Sequence, residues 1–430
     1  MKITVVALGK IGLPLAVQFA DSGHEVIGAD VNTRTVDLIN AGVEPFPGEA
    51  HLQEKLAAVV ASGSLRATTD TTAAVAESDA VVVVVPLFVS QDGIPEFGWM
   101  DDATRAIAAG LKPGTLVSYE TTLPVGTTRN RWKPMLQDGS GLVEGTDFHL
   151  VFSPERVLTG RVFADLRKYP KLIGGLSASG AARAQEFYRA VLQFDDRPDL
   201  LRGNGVWDLG TAEAAEMAKL AETTYRDVNI GLANQFARFA GANGIDVYQV
   251  IEASNSQPYS HIHNPGIAVG GHCIPVYPRL YLWTDPDATV VEAAREANAA
   301  MPAHAVDLAE KAAGTLEGKR VAVLGASYRG GVKETAFSGI FPVVAALTAK
   351  HAHVAVHDPL YSDEELSGLG FTPYHLGEDV DVVIVQTDHA TYRDLESTDL
   401  PGAAVVVDGR RALDRDVFTG TTFVVIGKGD

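Results

Sequence analysis

Short β-branched runs alternate with helical stretches from the first residues onward, and this alternation limits the possible folds more than any other feature. Residues 2–8 form a strand-like run, 9–12 a tight turn, and 13–22 an apolar helical stretch that stops before Gly23. Val26-Ile27-Gly28-Ala29-Asp30 reads as a second buried strand, and similar runs follow at 80–86, 115–121 and 150–153. Strands separated by helices predict a parallel, doubly wound sheet that takes ligands at the carboxyl ends of its strands. From Thr211 a helical pattern runs to about Ala240, where Gly241 and Gly244 end it. Such a helix is about 45 Å long and places Lys219, Thr223 and Arg226 on one face. A second α/β unit begins at 319–325 and continues at 354–357, 382–386 and 405–408.

The expected fold class is therefore α/β, with two Rossmann-like doubly wound domains joined by a long central helix. Expected boundaries are 1–205 for a dinucleotide domain, 206–305 for a helical connector with the cysteine loop, and 306–430 for a second domain. At 430 residues and 46% apolar content the chain can bury full-sized cores. A net charge of -19 argues against a phosphate backbone as partner, since such binding needs basic patches. The single cysteine can form no internal disulfide and has no second cysteine to suggest a zinc site, so no metal and a reducing compartment, the cytoplasm, are expected. Gly9, Lys10, Gly12 and Pro14 interrupt the apolar run near the start, no stretch reaches membrane-spanning length, and no membrane partner is expected.

Two motifs carry chemistry. Ala7-Leu8-Gly9-Lys10-Ile11-Gly12 is a dinucleotide fingerprint with alanine in place of the first glycine. Its later glycines let the backbone approach a pyrophosphate at a helix N-terminus. Asp30, about 20 residues on, is placed to accept from a ribose hydroxyl and so favours NAD over NADP. Taken without a ligand, the same pattern is a tight strand-to-helix turn. The second motif is Val269-Gly270-Gly271-His272-Cys273-Ile274-Pro275-Val276. A glycine pair before a thiol leaves room for a substrate carbon to approach, although a lone cysteine is more commonly a small buried hydrophobe.

Gly9-Lys10-Ile11-Gly12-Leu13-Pro14, Thr121-Thr122-Leu123-Pro124-Val125-Gly126-Thr127, Ser153-Pro154-Glu155-Arg156-Val157-Leu158, Ala215-Glu216-Met217-Ala218-Lys219-Leu220, Gly270-Gly271-His272-Cys273 and Asp408-Gly409-Arg410 occur in this order. The set resembles the UDP-glucose/GDP-mannose dehydrogenase family over nearly the whole chain. The resemblance implies NAD-dependent oxidation of a sugar C6 alcohol to a carboxylate, with Cys273 as nucleophile, Lys219 stabilising oxyanions, Glu155 handling water or a proton and Thr122 positioning water. It further implies cofactor contacts at Gly9, Lys10, Ile11, Gly12, Asp30, Pro86 and Thr122. Contacts to a nucleotide-sugar substrate are implied at Glu155, Arg156, Lys219, Thr223, Gly270, Gly271 and Arg410. A homodimer or higher homo-oligomer is expected from the same resemblance. The long helix is its core, although Leu220, Val228, Leu232, Phe236 and Phe239 fit internal packing equally well.

Several positions depart from the glucose-oxidising members of that family. Thr159 stands where they carry a second glutamate, Thr223 where they carry an asparagine and Tyr277 where an aspartate follows the cysteine by four. Leu87 and Ala336 replace a threonine and an arginine. The Pro-Glu-Arg-Val-Leu and Gly-Gly-His-Cys-Ile-Pro-Val wording resembles the branch that oxidises UDP-N-acetylhexosamines, with dTDP- or UDP-glucose also open. Two other readings stand beside this one. A two-electron hydroxyacid-type dehydrogenase would have no need of Cys273, and a non-catalytic nucleotide-sugar-binding relative would have no need of a thiol and lysine together.

Overall fold

The structure is a computed structural model and describes residues 1–90 and 93–429. The chain divides into two compact units, Met1–Ala221 and Glu222–Asp430, and the division falls inside the long helix Ala212–Ala242.

The first unit is built on an eight-stranded sheet. Its strands are β1 (Lys2–Val6), β2 (Glu25–Ala29), β3 (Leu65–Thr68), β4 (Ala80–Val83), β5 (Leu116–Tyr119), β6 (His149–Phe152), β7 (Lys171–Gly175) and β8 (Val206–Asp208). They lie in the order β8-β7-β6-β5-β4-β1-β2-β3. Strand β4 is buried along its whole length and β1 at every position after Lys2, as strands covered on both faces must be. The order reverses between β1 and β4, the switch point at which doubly wound sheets open a crevice beyond their carboxyl ends. Helix Gly12–Asp21 buries eight of its residues against the sheet and ends where Gly23 adopts φ +87°.

The expectation of a parallel sheet holds from β3 across to β6 and fails at one pairing. Strand β7 runs antiparallel to β6, with Val151 opposite Gly175 and Phe152 opposite Gly174. Continued along the two chains, this register carries Glu155 towards Lys171, so the reversal brings the first residue of β7 to the sheet's carboxyl edge.

The second unit holds a five-stranded parallel sheet: β9 (Arg320–Leu324), β10 (His353–His357), β11 (Val382–Val385), β12 (Val405–Asp408) and β13 (Thr422–Val425). Their order is β10-β9-β11-β12-β13, again with a reversal beside the first strand. Helices Thr289–Ala299, Met301–Ala313 and Ile340–Ala349, together with the later part of the long helix, belong to this unit. No helix among the described residues is long and apolar enough to cross a membrane.

Candidate active site

In the first unit every singled-out residue before the long helix follows the carboxyl end of a parallel strand: Gly9 after β1, Asp30 after β2, Pro86 after β4, Thr122 after β5 and Glu155 after β6. Ala7, at the first fingerprint position, takes φ +74°, a left-handed conformation that ordinarily selects glycine. Gly12 sits so close to this turn that a Cβ on it would stand 1.9 Å from the Ala7 carbonyl oxygen. A Cβ on Gly9 would meet nothing within 4 Å, which leaves the backbone there open to a ligand. The Asp30 carboxylate accepts from the Leu8 amide at 2.7 Å and from the Asn32 amide at 2.9 Å, fixing an acid at the tip of β2. Lys10 and Pro86 are exposed, Ile11 is half-buried and Thr122 is buried. These residues fit a dinucleotide: an open backbone at Gly9, a helix N-terminus beginning at Gly12, and an acid oriented by two amides.

Glu155 lies in the loop after β6. Its Oε1 accepts from the Arg156 amide at 2.6 Å and the Val157 amide at 3.2 Å, while its Oε2 receives Lys171 Nζ at 2.9 Å. Burial works to raise the Glu155 pKa, but Lys171, the Arg156 amide and Lys219 together hold it below the ordinary glutamate value. The loop itself is tied down by two further carboxylates. Glu49 accepts from the amides of Gly160 and Val162, and Asp165 from the amide of Leu158. Arg156 turns back on the chain, with its guanidinium 5.9 Å from the Tyr169 ring centre. On the long helix, Lys219 and Thr223 are both buried, Thr223 completely.

In the second unit, Cys273 is half-buried on a loop held by backbone and side-chain contacts. The Gly271 amide donates to the Ala336 carbonyl at 2.8 Å, and Ile267 donates to Gly409 at 3.1 Å. A Cβ on Gly270 would come within 2.6 Å of Tyr328 Cβ and one on Gly271 within 3.0 Å of the Tyr328 ring. The glycine pair therefore makes room for Tyr328, a neighbour in the same unit. His272 is exposed and its Nε2 lies 3.6 Å from a Glu334 carboxylate oxygen. Tyr277 opens helix Tyr277–Thr284 and its amide donates to the Cys273 carbonyl at 2.9 Å. Arg410, after β12, donates Nε to Gln386 O and Nη2 to Ala268 O, each at 2.9 Å. A buried chain runs from Arg295 and Asn298 through Asp227 and Asn234 to the Gly266 amide, which anchors the start of the same loop.

With this geometry in place, comparison with known proteins gives a consistent result. Family models match residues 1–192 (UDP-glucose/GDP-mannose dehydrogenase family, NAD binding domain), 213–300 (central domain) and 322–415 (UDP binding domain). The UDP-N-acetyl-D-mannosamine dehydrogenase of Pyrococcus horikoshii is 34% identical over 438 residues, covering 100% of both chains. This chain belongs to the UDP-glucose/GDP-mannose dehydrogenase family. An NDP-N-acetyl-D-galactosaminuronic acid dehydrogenase of Ralstonia nicotianae is 33% identical over 95% of each chain. The solved structure of the UDP-D-ManNAc dehydrogenase from Pyrococcus horikoshii superposes with a TM-score of 0.88 at 33% identity, over 100% of both chains.

Membership makes the chain an NAD-dependent nucleotide-sugar dehydrogenase and sets aside the hydroxyacid-type alternative. Sequence reasoning passed over three buried residues of this family member: Glu120, Lys171 and Tyr188. Lys171 Nζ reaches Glu120 at 2.7 Å as well as Glu155, and Tyr188 donates to Glu120 at 2.6 Å. A lysine opening an apolar Lys-Leu-Ile-Gly-Gly run was the available signal, because a charge in a buried strand requires partners. Asp358, at the tip of β10, was missed too. It accepts from the Ala326 and Ser327 amides at 2.8 Å, repeating in the second unit what Asp30 does for Leu8 in the first.

Proposed function

We propose that this enzyme oxidises the C6 hydroxyl of a nucleoside-diphosphate hexose to the uronic acid, a four-electron change with a covalent stage on Cys273. The observation that carries the reading is the placement of the chain's one cysteine on a loop braced by Ala336, Tyr328 and Arg410. NAD, held by Gly9, Lys10, Ile11, Gly12, Asp30, Pro86 and Thr122, supplies the hydride acceptor for both oxidations. Lys219, buried and cationic, stabilises oxyanion character at C6. Cys273 adds its sulfur to the aldehyde carbon as the carbonyl oxygen gains a proton, giving a thiohemiacetal. At the acid oxidation level the same carbon is a thioester. Glu155, held ionised, takes a proton from the water that attacks it, Thr122 orients that water, and cleavage of the C–S bond returns the thiol. The balance per sugar is two hydrides transferred and one water consumed.

Arg156, Thr223, Gly270, Gly271 and Arg410 complete the proposed substrate contacts. The family branch and the name of the Pyrococcus horikoshii relative support a UDP-N-acetylhexosamine, UDP-N-acetyl-D-mannosamine first, ahead of UDP-glucose or dTDP-glucose. A homodimer is part of the same reading: Tyr225, Leu232, Phe236 and Phe239 are 38–62% exposed and recur along one face of the long helix. A single unpaired cysteine supports a cytoplasmic location. The test is the yield of NADH per sugar consumed, read by absorbance with mass spectrometry of the product. Two NADH and a uronic acid support the thioester route. One NADH with a stable aldehyde or ketone overturns it, and no NADH with any of these sugars favours a binding protein.

A further inference from the structure

Behind Glu155 lies a cluster that the reaction as written does not use. Lys171 Nζ stands between two carboxylates, 2.7 Å from Glu120 Oε2 and 2.9 Å from Glu155 Oε2. The three side chains are 5%, 0% and 12% exposed respectively for Lys171, Glu120 and Glu155. Glu120 Oε1 accepts from Tyr188 at 2.6 Å, and the Tyr188 hydroxyl lies 2.7 Å from Ser118 Oγ. Lys171 Nζ is 4.9 Å from the Tyr188 ring centre. The elements packed here present these charged or titratable groups: Lys171 from β7, Glu120 after β5, Tyr188 from helix Ala178–Val191 and Lys219 from the long helix. Arg156, Asp165 and Tyr169 line a small cavity that borders Glu155 and Lys171.

Two carboxylates away from water compete for the one ammonium bonded to both, and Lys219 adds its positive charge on the Glu155 side, so the shortfall falls on Glu120, where a proton relieves it. The two glutamates are not equivalent hosts for that proton. Glu155 receives two backbone amides besides Lys171 and retains some solvent contact, all of which favour its anion. Glu120 is fully enclosed and has one neutral donor, Tyr188, besides the shared ammonium. We propose that Lys171 and Glu120 are positioning residues for Glu155: Lys171 aims and ionises it, and Glu120 carries the compensating proton. Burial raises the Glu120 pKa and Lys171 only partly offsets this, the same ordering that the geometry gives. A purely structural role accounts poorly for the arrangement, because apolar residues of similar volume fill a buried site at least as stably as an ion pair. The inference rests on the reading of Glu155 as the proton acceptor in hydrolysis.

The test combines an activity profile with a signal that needs no substrate. In Lys171→Met, Glu155 loses the ammonium bonded to it and keeps only the more distant charge of Lys219, so the acid limb of the pH–kcat profile moves up by about one unit or more, kcat falls by about tenfold, and KM stays within about twofold. Lys171→Arg retains the charge and recovers most of both effects. Infrared titration of the unliganded protein is made in a Glu216→Gln background, because Glu216 also holds its proton towards pH 7; there a protonated-carboxyl band persists to near-neutral pH and disappears when Glu120→Gln is added. An acid limb that stays in place in Lys171→Met, or a near-neutral band absent from Glu216→Gln or still present when Glu120→Gln is combined with it, overturns the proposal. If Lys171→Met does not fold, Lys171→Arg and the infrared band decide. If the parent turns over no nucleotide sugar, the functional reading fails by itself and the band still reports on the charge arrangement.

Discussion

Arg410 spans two carbonyls, Gln386 O through Nε and Ala268 O through Nη2, and so ties the cysteine loop to the end of β11. The resemblance assigned this arginine to the nucleotide sugar, yet two of its nitrogens already serve the protein. Arg410→Ala leaves two buried carbonyls without donors, each bond being worth about 1.5–3 kcal/mol when the donor is charged. The expected result is a fall in kcat of about 100-fold with faster alkylation of Cys273 by iodoacetamide, as the loop loosens. Arg410→Lys restores little of this, because one ammonium cannot span both acceptors in the guanidinium's planar geometry. Alkylation at the parent rate in both variants would show that the brace is not needed.

Gly9 and Gly12 separate cofactor binding from folding. A methyl group at Gly9 meets no protein atom, so Gly9→Ala keeps the parent's unfolding midpoint and weakens NAD by about tenfold or more, since the added carbon occupies the pyrophosphate's approach. A methyl group at Gly12 collides with the Ala7 carbonyl and the Val84 side chain, so Gly12→Ala loses about 3 kcal/mol of stability. Titration with NAD and chemical denaturation of both variants check the pair. Equal destabilisation by the two substitutions would contradict the assignment.

The sequence was most legible where local pattern and burial coincide. β1, β2 and β4 are apolar runs after which a turn or an acid stands in plain view, and the long helix shows its period over 31 residues, Ala212–Ala242. β3, β7, β8 and β13, about as short as β1, β2 and β4, were not legible. In Leu65-Arg66-Ala67-Thr68 the alternation is too brief to stand out from a turn. The reversal of β7 is a tertiary fact, and with it went the partnership of Lys171 with Glu120 and Glu155, residues separated by 51 and 16 positions. Cys273 and Lys219 were readable as members of a motif, whereas Tyr328, which fills the space beside Gly270, belongs to no local pattern.

Tyr277 begins the helix that follows the cysteine, and its amide is bonded to the Cys273 carbonyl. A neutral phenol cannot supply the charge of a carboxylate. Tyr277→Asp introduces an acid in the first helical turn, where the helix dipole favours it, and is expected to speed acid release about three- to tenfold. Quench-flow measurement of product release gives the answer. An unchanged rate would mean that position 277 does not limit hydrolysis.

The exposed stripe Leu232, Phe236 and Phe239 is 46%, 38% and 62% accessible in the isolated chain. Replacing Phe236 and Phe239 together by Asp places two charges in any interface formed there. Light scattering is expected to show the parent at twice the monomer mass and the double variant at the monomer mass. A parent that already runs as a monomer would remove the proposed interface.

Glu216 gives the chain a stability term with a defined pH window. Its Oε1 accepts from the Thr128 amide at 2.9 Å and the Thr128 hydroxyl at 2.7 Å, and its Oε2 accepts from the Gly126 amide. Burial nevertheless pushes its pKa up from 4.5 to about 7. Nearby Glu213, itself paired with Arg129, adds to the rise. A folded-state value above the unfolded one means that the native protein holds the proton more tightly. The contribution is therefore complete below about pH 4.5 and is lost as pH rises through about 7. At 1.36 kcal/mol per unit it amounts to about 3 kcal/mol as an upper bound. Glu216→Gln carries no titrating proton, so its stability relative to the parent is expected to improve by about 2–3 kcal/mol between pH 5 and pH 8. Denaturant melts of the two proteins across this range check the sign: a difference that stays constant with pH would show that Glu216 does not titrate there.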